Sequence, residues 1–190
     1  MERKAHFFFA LSLPKEIKYK MKDACLNLKG NFPFHRWVHH EDYHITLAFL
    51  GSAPAEKLQD ARRLVEEGLK GQKSFPLQIH QLGVFGKGDN PRIFWADTVK
   101  EERLSVIRDI VFSACLRAGF ELETRSFKPH ITLARKWPES KPFQGSLLND
   151  QNPFQDSPLH FKANEVVLYQ THLDQTPKYE RMAIFPLMDE

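Results

Sequence analysis

The pentapeptide His-Ile-Thr-Leu-Ala occurs twice in this chain of 190 residues, at His44 to Ala48 and again at His130 to Ala134. None of the other seven histidines is followed two residues later by Ser or Thr. Successive side chains of a β-strand point to opposite faces. Each copy therefore sets its His and Thr on one face, His44 with Thr46 and His130 with Thr132. The Ile and Leu of each copy, and Phe49 after the first, take the other face and can enter a core. One copy falls in each half of the chain, so two such strands, packed side by side or related by a pseudo-twofold, present two imidazoles and two hydroxyls to one cleft.

That constellation suits in-line displacement at phosphorus, where a nucleophile loses a proton on one side while the leaving oxygen gains one on the other. An unperturbed imidazole titrates near pKa ~6.5, so one ring can serve as base and its partner as acid, each worth roughly 10²–10⁴-fold. Thr46 and Thr132 are placed to hydrogen-bond the nonbridging oxygens and hold the phosphate between the rings.

Apolar spacing supplies the surrounding elements. Strands are expected over Phe7 to Leu13, Tyr43 to Leu50, Phe75 to Val84, Arg92 to Val99, around His130, Phe161 to Leu173 and Tyr179 to Leu187. Helices are expected over Lys15 to Lys29, Pro54 to Leu69 and Lys100 to Ala118, ending at Gly30-Asn31 and Gly119. Trp137 to Pro158 is rich in Pro, Ser, Asn, Asp and Gln and reads as a long surface loop. The mixture points to an α+β fold with antiparallel sheets, one domain over residues 1–190 in two lobes that each receive one copy of the repeat.

Composition excludes several function classes. A net charge of +3 fits a polyanionic ligand but falls short of the basic stripe of a general nucleic-acid binder. Cys25 and Cys115 stand singly in helical segments, which points to neither a disulfide framework nor a paired-cysteine metal site. The opening apolar run is too short for a membrane span or a signal peptide, and with reduced cysteines it points to the cytoplasm.

Rival readings are weaker. His40-Glu41-Asp42-Tyr43-His44 matches the zinc-peptidase pattern, but that pattern needs a helix through both histidines, and the neighbourhood is β-rich. A non-catalytic RNA-end binder would use Trp37, Trp95 and phenylalanines for stacking, yet has no need of both repeated histidines. His6, His35, His39, His80, His160 and His172 lack the motif and read as surface or capping residues.

The paired motifs resemble those of the 2H phosphoesterases, specifically the bacterial RNA 2′,3′-cyclic phosphodiesterases once called 2′-5′ RNA ligases. The similarity runs through Phe8 to Pro14, His44 to Gly51, Pro91 to Ala96 and Phe127 to Arg135. It implies a bilobal fold of two antiparallel sheets around a central cleft with helices outside. It implies His44 as proton donor to the leaving oxygen and His130 as the base that activates water, with a 2′-phosphomonoester as product and no metal or cofactor. Arg135 matches the position expected to contact the phosphate, although strict alternation puts it on the face opposite His130. Thr171 stands where the family commonly has Ser. The implied ligand is an RNA or oligonucleotide with a cyclic phosphate terminus, bound by a monomer. Ligation, the reverse reaction, and hydrolysis of another cyclic nucleotide or oligonucleotide stand as alternatives.

Overall fold

The apolar run that opens the chain becomes an interior strand, paired along both edges. A computed structural model describes residues 4–189. In it β1 (His6–Ser12) pairs with β3 (His44–Gly51) on one side and β8 (Glu165–Thr171) on the other, with β9 (Tyr179–Pro186) beyond. All pairings in this four-stranded sheet are antiparallel. Five more strands form a second antiparallel sheet in the order β2 (Arg36–Trp37), β6 (Ile131–Arg135), β5 (Asn90–Thr98), β4 (Phe75–Lys87) and β7 (Leu159–Ala163).

The helices bury one stripe each. Ile17, Met21, Cys25 and Leu28 enter the core from α1 (Lys15–Asn31), and Ala61, Leu64, Val65 and Leu69 from α2 (Ala55–Leu69). Both helices start directly after a proline, Pro14 and Pro54. The third, α3 (Glu102–Arg117), is capped by Glu101, whose carboxylate accepts the Arg103 backbone N–H at 3.1 Å. Gly119, at φ +87°, ends it in the left-handed conformation that costs glycine little.

One large apolar cluster joins these helical stripes to the inward faces of both sheets, including Phe9, Leu11, Ile45, Leu47, Phe94, Ile131 and Leu133. A smaller cluster of Phe8, Ala10, Val167 and Tyr169, with Tyr179 packed on it, covers the other face of the first sheet. That second face carries His44. The α+β class, the two antiparallel sheets and the outer helices are as the sequence indicated.

Three expectations need correction. The single strand expected over Phe161 to Leu173 is two: the chain breaks at Asn164, leaving β7 in the second sheet and β8 in the first. The polar stretch from Trp137 to Pro158 is not merely a surface loop. It contains a helical turn, α4 (Leu147–Asp150), and buries Trp137, Phe143 and Phe154. Asn152 Nδ2 donates to the His80 carbonyl at 2.9 Å, so the segment is pinned to β4 despite its composition. The short β2 and a 3₁₀ turn at His40–Asp42 were not foreseen, since neither is long enough to show a period.

Candidate active site

The two copies of the repeat sit on different sheets. The first opens β3 with His44; the second enters β6 at Ile131, so His130 stands one residue before the strand rather than within it. Both copies then break alternation at the same place. In β3, Thr46 faces Ala10 and Ala48 faces Phe9, which leaves Leu47 without a cross-strand partner. In β6, Thr132 faces Trp95 and Ala134 faces Phe94, which leaves Leu133 over. An extra residue of this kind resets the side-chain phase. Position five after each histidine, Phe49 in one copy and Arg135 in the other, thereby returns to the His/Thr face. The bulge resolves the conflict that strict alternation created for Arg135.

Backbone carbonyls two residues upstream hold both rings. Nδ1 of His44 lies 2.7 Å from the Asp42 carbonyl, and Nδ1 of His130 lies 2.7 Å from the Lys128 carbonyl. A carbonyl only accepts, so Nδ1 carries the proton in each ring and Nε2 is left with its lone pair. Nε2 of His44 accepts the Thr46 hydroxyl at 3.0 Å. The hydroxyl expected on the phosphate is thus occupied by the ring until a ligand competes for it.

Packing shifts both imidazoles toward the neutral form. His44 lies against Phe8 (centroids 4.8 Å apart), Tyr179 (5.2 Å) and Tyr169 (6.0 Å). Burial there pushes its pKa down to about 4, against the opposing pull of the Asp42 carbonyl; the charges of Lys18, His130 and Arg135 push the same way as burial. Burial also lowers His130, opposed by the Lys128 carbonyl, with Arg135 lowering it further and Asp97 raising it. Phe85 meets the His130 ring edge-on at 4.9 Å, and Trp95 lies 6.4 Å away. The Trp95 indole rests on Gly83, where an added Cβ would stand 2.1 Å from the ring, so only glycine fits.

A cavity of about 320 Å³ opens between the sheets, and His44, Thr46, His130, Thr132 and Arg135 all line it, with Thr171 beside them. Sequence reasoning missed Asp42. Its carboxylate is buried, 5% exposed, and accepts the backbone N–H of Lys178 at 3.0 and 3.1 Å and of Tyr179 at 3.2 Å. One residue thus orients the His44 ring through its carbonyl and ties down the turn before β9, whose Thr176, Lys178 and Tyr179 form part of the cavity wall. Nothing in the local pattern marks this role, because the partner groups are backbone amides far along the chain.

The remaining histidines behave mostly as capping or surface groups. His39 Nδ1 accepts the Glu41 N–H at 3.3 Å and His172 pairs with Glu180 at 2.7 Å. His80 departs from that expectation: its Nδ1 is buried without a hydrogen-bond partner among the described residues. His40 lies in the 3₁₀ turn and stacks on His39 at 4.4 Å, so no helix carries His40 and His44 on one face.

A sequence profile of the 2′-5′ RNA ligase superfamily matches residues 20–175. A curated protein of Geobacillus stearothermophilus, named RNA 2′,3′-cyclic phosphodiesterase, is 40% identical over 98% of this chain, which spans 58% of that protein's length. A Bacillus subtilis protein of the same name is 33% identical over 96% of this chain and 96% of its own. The crystal structure of Escherichia coli LigT complexed with 3′-AMP shares the fold at a TM-score of 0.74 and 24% identity, covering 98% of this chain and 99% of that one. With two His-x-Thr motifs facing one cleft and relatives matched along nearly its whole length, the chain belongs to the 2′-5′ RNA ligase superfamily of 2H phosphoesterases.

Proposed function

We propose that the protein hydrolyses the 2′,3′-cyclic phosphate at an RNA or oligonucleotide end to a 2′-phosphomonoester, with His130 as general base, His44 as general acid and no metal. The observation that carries this reading is the pair of Nδ1-anchored rings, each fixed by the carbonyl two residues upstream, that line one cavity. Nε2 of His130 removes a proton from water as the water oxygen bonds to phosphorus. The bond from phosphorus to the 3′-oxygen breaks, and that oxygen takes the proton from Nε2 of His44. Thr46 and Thr132 donate to the nonbridging oxygens, and the Arg135 guanidinium neutralises their charge with its forked donors.

His44 must be protonated to act, yet the ligand-free site holds it near pKa 4. The bound phosphodiester is an anion placed beside the ring, which favours the imidazolium and raises that value. Substrate binding therefore arms the acid. Release of the product into dilute solution favours hydrolysis over ligation by mass action. One chain supplies every residue of the site, so the working unit is a monomer, and residues 1–190 act as one domain of two pseudo-symmetric lobes. No helix of the described residues is long and apolar enough to cross a membrane, and the free buried thiols of Cys25 and Cys115 suit the cytoplasm.

The test is incubation of EDTA-dialysed protein with a short RNA ending in a 2′,3′-cyclic phosphate, with His44→Ala and His130→Ala in parallel. Conversion to the 2′-phosphate that falls by about 10²-fold or more in each variant is the expected result. A 3′-phosphate product, or turnover that returns only with added metal, would sink this assignment.

A further inference from the structure

The cavity between the histidines continues beyond them. Thr46, Phe49 and His130 also line a second hollow, of about 870 Å³, that runs to α3 and to residues 121–128. Its volume lies near the top of the range that drug-sized ligands fill, roughly 300–1,000 Å³. A cyclic phosphate held between His44 and His130 therefore has an open groove directly beside it.

Phe112 is the informative residue on that groove's wall. It stands on α3 one turn after Arg108, beside the stripe of Leu104, Ile107, Val111 and Cys115 that enters the core, but it is not packed into that core. Its ring is half-buried, and its cover is the guanidinium of Arg108, with Cζ 3.9 Å from the ring centroid and 5.4 Å from that of Phe127. Nε of Arg108 is buried without a hydrogen-bond partner among the described residues, while Nη1 reaches Asp109 at 3.1 Å. The guanidinium is thus locked by stacking rather than by a network of hydrogen bonds. Phe49 adds an aromatic side chain, 56% exposed, where the two hollows join.

Aromatic surfaces left partly open beside a phosphate site are what unpaired nucleobases stack on, and the Arg108 side chain, 17% exposed, backs the half-buried Phe112 ring. Bulk charge explains little of the groove: Glu121 and Glu123 cancel all but one positive charge of Arg108, Arg125 and Lys128, and Glu123 holds Arg125 at 2.5 Å. Recognition there rests on stacking. We infer that the groove along α3 and residues 121–128 is a subsite for the nucleotides on the 5′ side of the cyclic end, with the Phe112–Arg108 pair stacking a base. The inference rests on the cyclic-phosphate reading of the His44–His130 cavity, and it makes the substrate an oligonucleotide rather than a mononucleotide.

The experiment compares kcat/KM for adenosine 2′,3′-cyclic phosphate and for a tetranucleotide with the same cyclic end, in wild type, Phe112→Ala and Arg108→Gln. Wild type is expected to prefer the tetranucleotide, and Phe112→Ala to cut the tetranucleotide-to-mononucleotide ratio by about tenfold, as loss of one stacked base requires. Arg108→Gln should cut it in the same direction, and near-neutral lining predicts that the ratio changes little between low and moderate salt. Equal kcat/KM for both substrates in wild type, or a preference untouched by either variant, overturns the subsite while leaving the two-histidine chemistry standing. Turnover of neither substrate would sink the cyclic-phosphate reading instead. The groove is then judged by fluorescence anisotropy of a labelled tetranucleotide ending in a 2′-phosphate, where an affinity unchanged by Phe112→Ala overturns it.

Discussion

At the scale of single residues the site turns on how the protein treats two histidines of identical local sequence. His44 is boxed by Phe8, Tyr169 and Tyr179 and held near pKa 4, well below the unfolded value near 6.5. The unfolded chain binds that proton below about pH 6.5, the folded chain only near pH 4, so stability falls as pH drops through that window and levels off below it. The effect amounts to about 3 kcal/mol at most, and His44→Gln should remove it, as urea titrations at pH 7.5 and 4.5 would show. A second expectation concerns turnover. The descending limb of kcat/KM reports the free protein, where His44 loses its proton early; that of kcat reports the complex, where the substrate anion retains it. The kcat limb should therefore lie at higher pH, and coincident limbs in a steady-state pH series would contradict an acid armed by substrate.

Elements set the geometry that residues then use. The shared bulge at Leu47 and Leu133 is what places Phe49 and Arg135 on the His/Thr face, and the repeat itself contains the Leu that drops out of register while staying in the core. Half of this was legible: alternation correctly put His and Thr together, but alternation alone misplaces the fifth residue, since a bulge is decided by pairing to β1 and β5 rather than by the strand's own pattern. The β4–β5 hairpin adds a second constraint through Gly83 under Trp95. Gly83→Ala should force the indole to move and cost about 1–3 kcal/mol in a thermal or urea melt. Because Trp95 neighbours His130, kcat/KM for a cyclic-ended RNA should fall as well. Wild-type stability in this variant would mean that the indole has room to shift. The segment from Trp137 to Pro158 shows the opposite limit of pattern reading: its polar composition hides Trp137, Phe143 and Phe154, which fill the core with no period to betray them.

The whole molecule is a device for bringing one copy of the repeat from each sheet to a common cavity. The main core that supports this centres on Phe94, fully buried and stacked between Phe32 at 4.7 Å and Phe34 at 5.2 Å, so it links the end of α1 to the back of β5. Phe94→Ala should destabilise the fold by about 3–5 kcal/mol, measured by urea denaturation; Phe94 does not itself line the cavity and meets its wall through Trp37. The sequence by itself determined the three long helices, most strands and the pairing of His with Thr on one face, because those follow from spacing within a few residues. Only tertiary structure decided that Asn164 sends β7 and β8 to different sheets, that Asp42 ties the first motif to the turn before β9, and that His44 is the more deeply desolvated ring. Each of those depends on contacts between segments far apart in the chain, and no local period encodes such contacts.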